Sequence, residues 1–142
     1  MAAALNRSDR VSLHPLEAIL VAGSLPLFLG VLLADLAYGS SYEIQWKNFA
    51  SWLIVGALVL CGFALLWALI DLVRADGRGR RRILYLGILL AAWILGFVNA
   101  LVHAKDAWAS MPAALVLSVI VAVLAIAATW LGFSSAGAGQ RP

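Results

Sequence analysis

The sequence predicts an all-α fold, an integral membrane up-down-up-down four-helix bundle. Three observations carry that expectation. Hydrophobic residues make up 64% of the 142 residues and charged residues only 12%, against roughly 45–50% and 25% in a soluble domain. The apolar residues gather in four runs, each long enough to cross about 30 Å of hydrocarbon as a helix, which takes roughly 20 residues. The connections between the runs are too short to fold alone, so consecutive helices must be antiparallel neighbours. With a mean hydropathy of +0.98, a free soluble globule, a disordered chain and a fibrous repeat are excluded. A single cysteine, Cys61, excludes an intramolecular disulfide framework and a thiolate zinc site, which need several sulfurs. It lies in an apolar run and reads as a small core hydrophobe.

The elements follow in chain order. Residues 1–15 form a cytoplasmic arm, 16–133 the four-span domain and 134–142 a flexible tail. The stretch MAAALNRSDRVSL resembles the basic start of a signal peptide, but the apolar run behind it is far longer than the 7 to 15 residues of a signal core. The first span, Leu16 to Tyr38, is therefore read as retained. Pro26 lies within it beside Gly23 and Ser24, which predicts a kink from the missing amide hydrogen and the ring clash. The second span is Phe49 to Val73, the third Ile83 to Val102 and the fourth Pro112 to Phe133, with connections at Gly39–Asn48, Arg74–Arg82 and His103–Met111. Gly56, Gly62, Gly87, Gly96 and the alanines of the last span let helix backbones approach closely, as association within lipid requires. Trp67 and Trp93 fall deeper than the tyrosines and tryptophans at the outer ends of the spans and are expected to pack between helices.

Orientation comes from the cations. Arg7, Arg10, Arg74, Arg78, Arg80, Arg81, Arg82 and Arg141 lie on one side and only Lys47 and Lys105 on the other, eight against two. In short loops that bias places the arginine side in the cytoplasm, and with it both termini. The run Arg74, Arg78, Arg80, Arg81 and Arg82 reads first as this topology determinant and second as a contact for anionic lipid. Nucleic-acid binding is a poor third, because the patch is short and lies against the bilayer. Tyr38, Tyr42, Trp46 and Trp108 cluster at the opposite helix ends, where amphipathic rings favour the headgroup level.

Ionisable residues inside spans count as functional hypotheses. Here all lie near helix ends. On the arginine side are His14, Glu17 and Asp71, with Asp71 three residues before Arg74, a spacing that permits an ion pair; this group reads chiefly as an anchor. On the outer side Asp35 ends the first span, while Asn99 and His103, four apart, share one face of the third, followed by Asp106 and Trp108. Asp35 or Asp106 could orient the imidazole as a general base, a ligand or an interface anchor needs. A polar network that pins helix ends explains the same residues. Haem between two histidines is disfavoured within one chain, because only His14 and His103 exist and the topology separates them by about 30 Å. Multi-histidine metal sites fail likewise. No GxxxxGK[ST], GxSxG or HExxH motif is present, and there is no mid-membrane charge or polar stripe of the sort pumps and channels carry.

The segments HPLEAIL, LADLAY, YEIQWKNFASWLI, LIDL, NALVHAKDAWASMPAALVLS and TWLG resemble the bacterial inner-membrane family catalogued as domain of unknown function 2231. The resemblance runs from about His14 to Phe133, and the NALVHxxDAW stretch is its most specific part. It implies a small four-helix membrane protein of the inner membrane. Some members are similar in gene setting to partners of periplasmic quinoprotein sugar dehydrogenases. Many members carry a second His-Pro, a further histidine early in the third helix and a YRHGVGV-like tail. This chain has instead Glu17-Ala18, a histidine-free run around Tyr85 to Gly87, and Ser134-Ser135-Ala136-Gly137. Whatever those histidines hold in relatives, their loss here puts in doubt; the outer patch is retained.

The function expected is a non-catalytic accessory or docking subunit. It would present Tyr42, Gln45 and Trp46 of the first outer loop, with Asp35, Asn99, His103, Asp106 and Trp108, to a periplasmic partner such as a dehydrogenase or respiratory complex. Aromatic enrichment is favoured at binding surfaces. The alternative is an electron-transfer subunit that uses the His103 patch with a quinone or an intermolecular haem. No cofactor or metal is predicted, and a homo-oligomer is left open.

Overall fold

The computed structural model describes residues 13–74, 79–105 and 107–134, the side chains of 107 and 108 excepted. Four long helices and one short one follow in order: α1 (Pro15–Ser41), α2 (Ile44–Arg74), α3 (Arg80–His103), α4 (Ala107–Ser110) and α5 (Ala113–Ser134). The four long helices are each apolar and long enough to span a membrane. Helix α1 packs against α2 and α5, and α3 against α5 and α2. The bundle is therefore a ring in which α1 and α3 occupy one diagonal.

Local chemistry sets the ends of α1. His14 caps the start: its Nδ1 accepts the Leu16 N–H at 3.3 Å, and Pro15 occupies the first helical position, where a missing N–H costs nothing. The helical run continues through Pro26. At the far end Tyr42 adopts the left-handed conformation (φ 56°), and its N–H closes on the Tyr38 carbonyl at 2.8 Å. That geometry ends a helix and reverses the chain within two residues. The Tyr42 ring meets Tyr38 edge-on at 6.2 Å, a contact that offsets part of the steric cost of a non-glycine residue there.

Here the structure departs from the expected loop at Gly39–Asn48. Ser40 and Ser41 stay helical, their hydroxyls donating to the Ala37 carbonyl one turn back at 3.0 and 2.7 Å, and α2 begins at Ile44. Most of the polar run is helix, and only Tyr42 and Glu43 connect α1 to α2. The third connection likewise contains the one-turn α4, and Arg80, Arg81 and Arg82 form the first turn of α3 rather than loop. The remaining span boundaries agree with expectation to within a few residues. Arg7, Arg10, Arg78, Asp106, Arg141 and most of the tail lie outside the described residues.

The two helical hairpins, α1–α2 and α3–α5, bury matching stripes. On α1 the buried face includes Glu17, Val21, Ser24, Phe28, Val31 and Asp35; on α3 it is Tyr85, Leu89, Ala92, Gly96, Asn99 and His103. Each member of the second set lies 68 residues after its counterpart, the separation of the Glu17–Tyr85 and Asp35–His103 hydrogen bonds. Helices α2 and α5 repeat the pattern: Ala50, Ile54, Ala57, Cys61, Ala64 and Ala68 answer to Ala114, Ser118, Val121, Ala125, Ala128 and Gly132. The bundle is thus a pseudo-twofold pair of hairpins inserted in the same direction, with the axis along the bundle. Three counterpart pairs of α1 and α3 meet across that axis, Glu17 with Tyr85, Phe28 with Gly96 and Asp35 with His103. Midway, the Phe28 ring fills the space beside Gly96, where an added Cβ would stand 3.3 Å from Phe28 Cε1. The core on either side is apolar, built from Val21, Ala57, Cys61, Ala64, Leu89 and Val121 towards the Glu17 end and from Val31, Ala34, Ala50 and Ile54 towards the Asp35 end.

Trp93 shows how small residues shape one seam. Its indole N–H donates to the Leu58 carbonyl on α2 at 3.2 Å. A Cβ on Gly62 would lie 3.0 Å from that nitrogen, so the glycine opens the helix backbone to the indole. Trp67 is half-buried and stacks on His14, the cap residue of α1, with ring centroids 4.6 Å apart.

Candidate functional site

Two polar clusters cross the α1–α3 diagonal, one at each end. At the Glu17 end the Tyr85 hydroxyl donates to Glu17 Oε1 at 3.0 Å, both groups being buried. Nearby Arg82 pairs with Asp71 at 3.1 Å. The ion pair of Asp71 thus joins α2 to α3, rather than running along α2 to Arg74.

The richer cluster lies at the other end. Asp35 comes from α1, Asn99 and His103 from α3 and Ser118 from α5. They are 1%, 2%, 5% and 2% exposed. His103 is the last residue of α3, so its ring can reach back to the Asn99 carbonyl with Nδ1 (3.0 Å) and across to Asp35 Oδ1 with Nε2 (2.8 Å). The Ser118 hydroxyl donates to Asp35 Oδ2 at 2.5 Å and accepts from Asn99 Nδ2 at 2.8 Å. Asn99 Oδ1 has no hydrogen-bond partner among the described residues. Three helices are joined by this chain of bonds. Because buried polar groups without partners cost about 1–3 kcal/mol each, it specifies which helix faces meet.

The arrangement limits the available chemistry. Both ring nitrogens of His103 are occupied by protein oxygens, which leaves none to ligate iron. Ser118 gives its hydrogen to the carboxylate and not to the imidazole, so it is not set up as a base-activated nucleophile. His14 and His103 stand at opposite ends of the bundle, about 30 Å apart by the rise of α1 from residue 14 to 35. No group of three or more metal-ligating side chains occurs among the described residues. Three surface grooves are lined respectively by α2–α3 residues such as Phe63, Trp93 and Phe97, by α1–α5 residues such as Leu25 and Trp130, and by Gln45, Trp46 and Phe49. None of them is lined by Asp35, Asn99, His103 or Ser118.

The outer patch expected from the sequence therefore divides in two. Asp35, Asn99 and His103 come together inside the bundle. Tyr42, Gln45 and Trp46 are exposed on the turn between α1 and α2 and the first turn of α2, where Gln45, Trp46 and Phe49 line a recess of about 300 Å³. Asp106 and the Trp108 side chain lie outside the described residues. Lys47, expected in a loop, is buried, and its ammonium donates to the Lys105 carbonyl, strapping α2 to the connection after α3. Ser118, Tyr85 and this role of Lys47 are the functional contacts that sequence reasoning missed. Ser118 carries one available signal: it is the one hydroxyl in the apolar run from Ala113 to Ala128.

Neither a curated protein nor a solved structure matches the chain. A family model does, over residues 13–138. That stretch takes in all four spanning helices and both polar clusters, so the chain belongs to the family described as predicted membrane protein (DUF2231).

Proposed function

We propose that the chain is a non-catalytic accessory subunit of the bacterial inner membrane, with both termini cytoplasmic. Its docking surface is the turn between α1 and α2, offered to a periplasmic partner such as a dehydrogenase or respiratory complex. The observation that carries this reading is the contrast at the Asp35 end. Asp35, His103, Ser118 and Lys47 are buried and bonded across elements, whereas Tyr42, Gln45 and Trp46, which run up to Lys47 in sequence, are exposed, and Gln45 and Trp46 line a recess. A rigid base under exposed aromatic and amide groups is what preorganised recognition requires. The placement of Arg74, Arg80, Arg81 and Arg82 at the opposite end supports the orientation.

Replacing Gln45 and Trp46 together by alanine tests the proposal. Membrane insertion and thermal stability should persist, while retention of a partner on the immobilised chain falls at least tenfold. Unchanged retention would refute the docking surface.

A further inference from the structure

We infer that Asp35 and His103 form a one-proton unit, a net-neutral latch between α1 and α3 whose closure is conditional on a proton held between the two side chains. The inference does not depend on the docking proposal. It rests on counting hydrogens. The Asn99 carbonyl oxygen can only accept, so the facing Nδ1 carries a hydrogen at 3.0 Å. Asp35 Oδ1 and His103 Nε2 stand 2.8 Å apart and need a second hydrogen between them. Asp35 Oδ2 already takes its hydrogen from Ser118, which in turn accepts from Asn99. A carboxylate beside a neutral imidazole supplies one hydrogen where the geometry uses two. The pair therefore holds one proton more, and its net charge is zero whether that proton sits on nitrogen or on oxygen.

Loss of the proton would have two consequences. Two lone pairs would face each other, at 2.8 Å or at 3.0 Å according to which nitrogen kept its hydrogen. A net negative charge would also be left on groups no more than 5% exposed, a burial that is costly without a countercharge. Among the described residues, the groups bonded to the pair are the Ser118 hydroxyl from α5 and the Asn99 carbonyl from α3, both neutral. Tyr38 is buried one turn further along α1, and the α2 cation at this end, Lys47, donates to the Lys105 carbonyl. Pseudosymmetry sharpens the contrast: the counterparts of Asn99 and Ser118 are Val31 and Ile54, so only one hairpin supplies the polar groups that support the latch.

Three variants separate charge balance from loss of contacts. Asp35→Asn preserves every bond without charge, since the new amide accepts from Ser118 and donates to a neutral imidazole. His103→Gln can still donate to Asp35 but strands a buried carboxylate. The double variant is neutral again. Read as the folded-to-unfolded ratio in detergent, His103→Gln should lose on the order of a hundredfold, Asp35→Asn less than tenfold, and the double variant should recover most of what His103→Gln loses. If His103→Gln fails to accumulate while the double variant accumulates, the inference also stands. It is overturned if the double variant is no better than His103→Gln, if both fail to accumulate, or if Asp35→Asn is as damaging as His103→Gln.

Discussion

A carboxylate at residue 35 and an imidazole at residue 103 are costly in a spanning helix, and cost is what made them visible in the sequence. Their common depth followed from span lengths, and the shared face of Asn99 and His103 from their spacing of four. What spacing does not contain is which faces of different helices meet, so burial of Asp35, Asn99 and His103 could not be separated from exposure at the partner surface. Ser118 was overlooked because a lone hydroxyl is tolerated anywhere in a helix by bonding to its own backbone. Its role in the folded chain predicts a sharp response: Ser118→Ala leaves Asp35 Oδ2 and Asn99 Nδ2 without their partners. Thermal or denaturant unfolding in detergent should report a loss of about 1–3 kcal/mol. Thr129→Ala, which removes only a bond to the Ala125 carbonyl of the same helix, should change stability by no more than about 0.5 kcal/mol.

At the scale of the elements, composition and length located all four spans, because hydrocarbon thickness imposes both. The boundaries that shifted are those where polar residues stay helical. Ser40 and Ser41 do so with their hydroxyls folded back on the Ala37 carbonyl, and the left-handed Tyr42 compresses the reversal into two residues; neither feature has a distinct pattern in the residues around it. The glycines also divide in a way sequence could not show. A Cβ on Gly87 would meet nothing within 4 Å, whereas one on Gly62 would press on the Trp93 indole. Gly87→Ala should therefore stabilise α3 by about 0.5–1 kcal/mol. Gly62→Ala should destabilise the bundle by about 1 kcal/mol or more, by displacing the Trp93 bond to Leu58. Unfolding curves of the two variants, measured side by side, check the signs.

For the molecule as a whole, the pseudo-twofold pairing of hairpins was invisible in the sequence because it preserves burial rather than residue type: Glu17 answers to Tyr85, Phe28 to Gly96 and Asp35 to His103. Complementary partners, not copies, meet at the axis. Polar bonds cross between α1 and α3 at both ends, and the ends differ: Arg74, Arg80, Arg81 and Arg82 lie at one, and exposed Tyr42, Gln45 and Trp46 at the other. The orientation has its own check. Cys61 is buried, so a membrane-impermeant maleimide added to intact spheroplasts should label Gln45→Cys at once and Arg81→Cys only after permeabilisation; the reverse pattern would invert the topology.

The docking surface is tested most directly by site-specific photocrosslinking in native membranes, with the photoreactive residue placed at Gln45 in one variant and at Trp130, also exposed but near the other end, in a second. The account predicts a discrete adduct with one periplasmic or respiratory protein from position 45 that is absent from position 130. No protein adduct from position 45, or the same adduct from both positions, would contradict it.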